Sequence, residues 1–263
     1  MEPVRWLHVP KTGSSFINAV ARYGCAELRP TNLSFGMPHE FTAWHAATSR
    51  QRRRRACERL EPPWAGHAPL AAAEAARHGL RVVAMFRRPA QRLLSGFYHA
   101  DGVSAALQAK TMIAPGMPAG EREEMRRAVG GDAARYARWP GIASCATKML
   151  IGRACASRYV PTDADVRSAR WIVRRRLAVV GLVEHWASSI CVFHRLLLSR
   201  VPIHHSELAN THAGPERVAR ARLNKTDYDE GLLRGFVDVH DEAVYATARD
   251  RLYEDMRRTG CGP

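Results

Sequence analysis

The sequence predicts an α/β fold, with a central, mostly parallel sheet flanked by helices. Three observations predict it. Apolar runs at Arg5 to Val9, Arg81 to Phe86 and Leu177 to Glu184 lack the in–out alternation of a half-exposed strand. Each run feeds a segment whose apolar residues recur at helical spacing. The chain has 263 residues, enough to bury a core between such layers.

The elements follow in order. Arg5 to Val9 is the first strand, and Ser15 to Tyr23 a helix carrying Phe16, Ile17, Ala19 and Val20 on one face. Arg81 to Phe86 is the second strand. Pro89 to Tyr98 is a helix opening on proline, whose fixed φ suits a first turn. Leu177 to Glu184 is the third strand, followed by a helix over His185 to Leu198. His240 to Arg257 is a terminal helix with Val244, Ala248, Leu252 and Met256 on one face. Gly102 to Pro140 is rich in glycine, proline and charge, and reads as an insertion or lid. With no internal repeat and no long linker, the whole of residues 1–263 is expected to form one domain.

Net charge is +15, from 40 basic and 25 acidic residues. Such a balance attracts anions: nucleotides, acidic polysaccharides, nucleic acid or a membrane surface. Lysine occurs only at positions 11, 110, 148 and 225, and arginine supplies the rest. The run Arg52 to Arg55 reads as a solvated helix face rather than a specific nucleic-acid site. No apolar stretch reaches the length of a membrane span, and no signal peptide precedes the first strand. A chain soluble as given is expected. Six scattered cysteines are too few for a disulfide scaffold and leave room for one or two bridges. The histidines and cysteines show no metal-ligand spacing, so no metal is expected.

The stretch Leu7 to Phe16, LHVPKTGSSF, carries the first chemistry. A strand, a glycine-containing turn and a helix gather backbone N–H groups around an anion, and the helix dipole adds favourable potential. Lys11 adds a mobile cation; Thr12, Ser14 and Ser15 add hydroxyls; Gly13 allows the turn. It is not a Walker A loop, in which lysine follows the second glycine. The same residues also fit an ordinary serine-capped helix after a turn.

The second stretch is Phe86 to His99, FRRPAQRLLSGFYH. Arg87 stands at the carboxyl end of the second strand, where open parallel sheets bind ligands. Ser95 lies two turns into the next helix. An arginine fork and a hydroxyl there suit a second phosphate. The alternative is that Arg87, Arg88 and Arg92 form a solvated cluster and Ser95 is a packing residue.

Taken together the two stretches resemble the sulfotransferases that use 3′-phosphoadenosine 5′-phosphosulfate (PAPS). Pro10 to Ser15 is similar to their 5′-phosphosulfate loop. Arg87-x-Pro89-x-x-Arg92-x-x-Ser95 is similar to their 3′-phosphate motif, R-[DE]-P-x-x-R-x-x-S-x-[YF], with Arg88 in place of the acidic residue. The carbohydrate branch, including heparan sulfate 2-O- and 6-O-sulfotransferases, is the nearest in flavour. Gly66 to Leu70 resembles its Gly-His segment, Thr147 to Gly152 its QTK-x-L-x-G segment with Cys145-Ala146 in place of the polar pair, Val179 to Phe193 its VGLTE strand and helix, and Arg222 to Tyr228 its late basic loop.

The resemblance implies a P-loop-like sulfotransferase fold and transfer of a sulfuryl group from PAPS, as co-substrate, to a hydroxyl or amine of a glycan or small molecule. It implies that Lys11, Thr12, Gly13, Ser14 and Ser15 hold the 5′ end. Arg87 and Ser95, with Lys225 and Thr226, would hold the 3′-phosphate. His67 would be the general base, with His45 and His99 as competitors. Two rivals remain at this stage: a nucleotide-dependent phosphotransferase of related fold, distinguished by magnesium dependence, and a non-catalytic polyanion-binding module, distinguished by steep salt dependence.

Overall fold

The computed structural model describes residues 4–13, 67–71, 81–101, 119–198, 202–203, 207–208 and 227–262. The helix expected over Ser15 to Tyr23 lies outside them. Among the described residues three strands form one parallel sheet: β1 (Val4–Leu7), β2 (Arg81–Phe86) and β3 (Leu177–Leu182), in that spatial order. Leu7 pairs with Ala84, and Phe86 with Leu182. Val82 to Phe86 are buried without a break. Successive strand residues point to opposite faces, so both faces of β2 are covered. The protein is thus α/β with a small parallel sheet.

Close packing fixes residue identity at one pairing. Met85 of β2 lies opposite Gly181 of β3. A Cβ at position 181 would run into the Met85 sulfur and the Ser189 side chain. Glycine is required there for the approach of neighbours, not for its backbone freedom.

The helices are α1 (Pro89–Asp101), α2 (Ala119–Val129), α3 (Ala133–Arg138), α4 (Cys145–Leu150), α5 (Asp163–Arg175), α6 (Trp186–Leu197) and α7 (Val239–Thr259). Helix α7 packs on β3, α5 and α6, and Val244, Ala248, Leu252 and Met256 are all buried beneath it. It ends on Gly260 at φ 71°, a left-handed cap that glycine adopts without strain. Of the expected insertion, residues 119–140 contain α2 and α3. These pack with α1 around a second core of Leu93, Leu94, Phe97, Met125, Val129, Tyr136 and Ile142.

A buried charge network joins α1, α4 and α7. Arg92 reaches Asp238 at 3.5 Å, Asp241 at 3.6 Å and the Ile142 carbonyl at 3.0 Å. Asp241 accepts the backbone N–H groups of Ala146 and Thr147 and the Thr147 hydroxyl, so a carboxylate from α7 caps α4. The Lys148 ammonium donates to the Ser157 carbonyl at 2.8 Å. Burial lowers its pKa to about 8, against the opposing pull of Asp241.

Two disulfides are present among the described residues, Cys145–Cys155 and Cys191–Cys261. No described helix is long and apolar enough to cross a membrane.

Candidate functional site

The site lies at the carboxyl ends of β1 and β2. β1 ends at Leu7, and Val9 N–H turns back to the Leu7 carbonyl at 3.2 Å. The chain then reverses through Pro10 to Gly13. Lys11 takes φ 67° and Gly13 φ 87°. The first is a left-handed conformation that a lysine rarely adopts. A Cβ on Gly13 would also press on Trp186 and Val183, each at 3.2 Å. Thr12 is buried, and its hydroxyl donates to the Val9 carbonyl at 2.8 Å. That hydroxyl closes the turn, which leaves the backbone N–H as the donor at residue 12.

Lys11 is only partly exposed, and its pKa falls to about 8. Burial is the larger cause and the nearby charge of Arg87 the second. Two strands therefore bring two cations together at one sheet edge. Among the described residues no carboxylate pairs with Lys11. Like charges held in a half-buried place call for an anion between them.

Arg87 leaves the end of β2 with its guanidinium 5.6 Å from the ring centre of Tyr228, and Tyr228 stacks on Tyr98. The Gln91 amide grips the Tyr228 backbone at both ends, donating to its carbonyl at 3.0 Å and accepting its N–H at 2.9 Å. Arg88 pairs with Asp227 and Glu230, and its backbone N–H donates to Glu184 at 2.8 Å. Arg88 and Arg92 are thus held by carboxylates, one exposed and one buried. They are not a solvated cluster with Arg87. Ser95 is half-buried on α1.

His67 reaches the same edge from elsewhere in the chain. Its Nδ1 lies 2.9 Å from the His8 carbonyl, and the two imidazoles pack against each other at a 32° tilt with centroids 4.0 Å apart. A carbonyl only accepts, so Nδ1 carries the proton. Nε2 of the neutral ring is then the free lone pair. Burial lowers the pKa of His67; the His8 carbonyl opposes this and Lys11 adds to it. The net direction keeps the ring neutral near pH 7.

His8 has no counterpart among the sequence expectations. Its ring is buried, and neither nitrogen has a hydrogen-bond partner among the described residues. The signal was present as one polar residue inside the apolar run Trp6 to Val9.

The structure thus gathers Lys11, Thr12, Gly13, Arg87 and His67. Ser14, Ser15, Lys225, Thr226 and the competitor His45 lie outside the described residues, and His99 falls in the last turn of α1. No group of three or more metal-ligating side chains occurs among the described residues. Compared with protein-family models, curated proteins and solved structures, the chain matches none of them.

Proposed function

We propose that this protein is a sulfotransferase of P-loop-like fold that moves a sulfuryl group from PAPS to an acceptor hydroxyl. The observation that carries the reading is the convergence of Lys11 and Arg87 at the ends of adjacent parallel strands, with no carboxylate among the described residues paired to Lys11. The likeness of Pro10 to Ser15 and of Arg87 to Ser95 to the two phosphate motifs supports it, and so does a histidine with one free nitrogen at the same edge.

In this reading Lys11 stabilises negative charge on the oxygen that leaves sulfur. The backbone N–H groups around Gly13 hold the 5′-phosphate, and Arg87 holds the 3′-phosphate. Tyr228, already braced by Tyr98 and Gln91, limits where Arg87 can swing. His67 Nε2 takes the acceptor proton as the acceptor oxygen bonds to sulfur. The bond from sulfur to the phosphate oxygen breaks, and its electron pair stays on the nucleotide. The fixed tautomer spares His67 any rearrangement before it acts as base.

The test is a screen of glycan and small-molecule acceptors with radiolabelled PAPS. Label is expected to pass to an acceptor without added magnesium. Transfer of phosphate from a labelled nucleoside triphosphate, dependent on magnesium, would replace this reading with the phosphotransferase. In a melting experiment, 3′,5′-bisphosphoadenosine should stabilise far more than adenosine 5′-phosphate; equal stabilisation removes Arg87 and Ser95 from the 3′-phosphate.

A further inference from the structure

His8 poses a physical problem. A buried imidazole whose two nitrogens find no partner among the described residues carries an uncompensated desolvation cost. Packing on His67 does not require those nitrogens, because a phenylalanine would pack as well without the penalty. Orienting His67 does not require them either, because the bond uses the backbone carbonyl of residue 8. No described residue satisfies these nitrogens, so they stand open to a partner beyond the described residues.

The surroundings narrow that partner. Burial, His67 and Lys11 all depress the basicity of the ring, so His8 is neutral and offers one N–H and one lone pair. It precedes Lys11 by three residues, and its ring feels the charge of the Lys11 ammonium. A ligand drawn there by Lys11 and Arg87 is an anion, which accepts and cannot donate.

We propose that the His8 imidazole donates its ring N–H to an oxygen of the tetrahedral anionic group that Lys11 holds, as a second substrate-contacting histidine beside His67. The inference rests on the sulfotransferase reading and adds to it the residue that grips the sulfuryl group itself. A neutral donor suits the position. When His67 becomes positive on taking the acceptor proton, a neutral ring centred 4.0 Å away does not repel it.

The experiment uses inorganic sulfate as the probe, titrated by calorimetry into the complex with 3′,5′-bisphosphoadenosine, where the sulfuryl position is free. His8→Phe keeps the packed ring and removes both nitrogens. It should melt at or a few degrees above the wild type without ligand. It should bind the bisphosphate normally, bind sulfate at least tenfold more weakly, and turn over about a hundredfold more slowly, the scale for one lost donor to developing charge. Sulfate affinity equal to wild type overturns the proposal.

Should His8→Phe fail to fold, the wild type decides. The nitrogen-15 resonances of His8, assigned by their loss in His8→Asn, must shift when sulfate joins the bisphosphate complex; unmoved resonances overturn the proposal. If the wild type binds neither bisphosphate nor sulfate, the reading of the whole site falls, and this inference with it. If it binds both and only His8→Phe behaves like wild type, the role of His8 alone falls.

Discussion

The Nδ1–H of His67 donates to the carbonyl oxygen of His8 at 2.9 Å, so one main-chain atom at the end of β1 decides which nitrogen of a distant histidine stays basic. The ring pKa is also held below the ordinary histidine value, chiefly by burial. As a base His67 must be neutral, and a lowered pKa keeps it neutral down to more acid pH. Turnover is therefore expected to be level across neutral pH and to fall only below about 6.5. His67→Ala should lower turnover by roughly a hundred- to ten-thousandfold and remove the acid limb, with bisphosphate affinity unchanged. An acid limb centred above pH 7, or one that survives in His67→Ala, ends the assignment.

Lys11 supplies the opposite limb. Its pKa is lowered to about 8 by burial and by Arg87, so the free protein loses this charge as pH rises through about 8. An anion favours the charged form. Bisphosphate affinity should fall above that pH, approaching tenfold per unit. Lys11→Ala should flatten that dependence and cut turnover by about a hundredfold or more. Calorimetric titrations between pH 6 and pH 10 on both proteins provide the check.

Arg92 sits between Asp238 and Asp241 rather than among solvated arginines. Burial and the neighbouring Asp241 push the Asp238 carboxyl up to about 6 even with the arginine present. Removing the cation leaves two carboxylates facing each other inside the protein. Arg92→Ala is expected to cost about 3–5 kcal/mol in urea unfolding. Adding Asp238→Asn should cost less than the sum of the single changes, because the pair shares one network. Strict additivity would show that the network carries no coupling.

The Cys191–Cys261 bridge closes a loop spanning 70 residues, and Cys145–Cys155 one spanning 10. Chain entropy makes the longer closure worth roughly 1–2 kcal/mol more. Cys191→Ser should thus destabilise by about 2–4 kcal/mol. A thiol reductant should lower the melting temperature of the wild type and leave Cys191→Ser less affected. A wild type indifferent to reductant would refute both statements.

Much of the frame was legible because periodicity and burial leave marks in sequence. The second strand has the bounds its apolar run predicts, and the buried stripe Val244, Ala248, Leu252 and Met256 follows from helical spacing. The other two strands are shorter than their apolar runs. β1 stops at Leu7 because Val9 N–H bonds backwards. β3 stops at Leu182 because the Ser189 hydroxyl takes its N–H at 2.9 Å and a short 3₁₀ turn follows. The surroundings of Arg88 and Arg92 were illegible, since their carboxylates lie more than a hundred residues later in the chain. His8 was hidden for a different reason: a buried polar group announces itself only once its missing partners can be counted.

The contact between Met85 and Gly181 has an evolutionary consequence. The two positions share one small volume, so they drift as a pair or not at all. A descendant sequence that gained alanine or serine at 181 would have to lose bulk at 85 in the same lineage, or shift α6 away through Ser189. Among divergent sequences of this chain, these two columns are expected to co-vary by size, with total volume held nearly constant, while their neighbours Ala84 and Val180 vary independently.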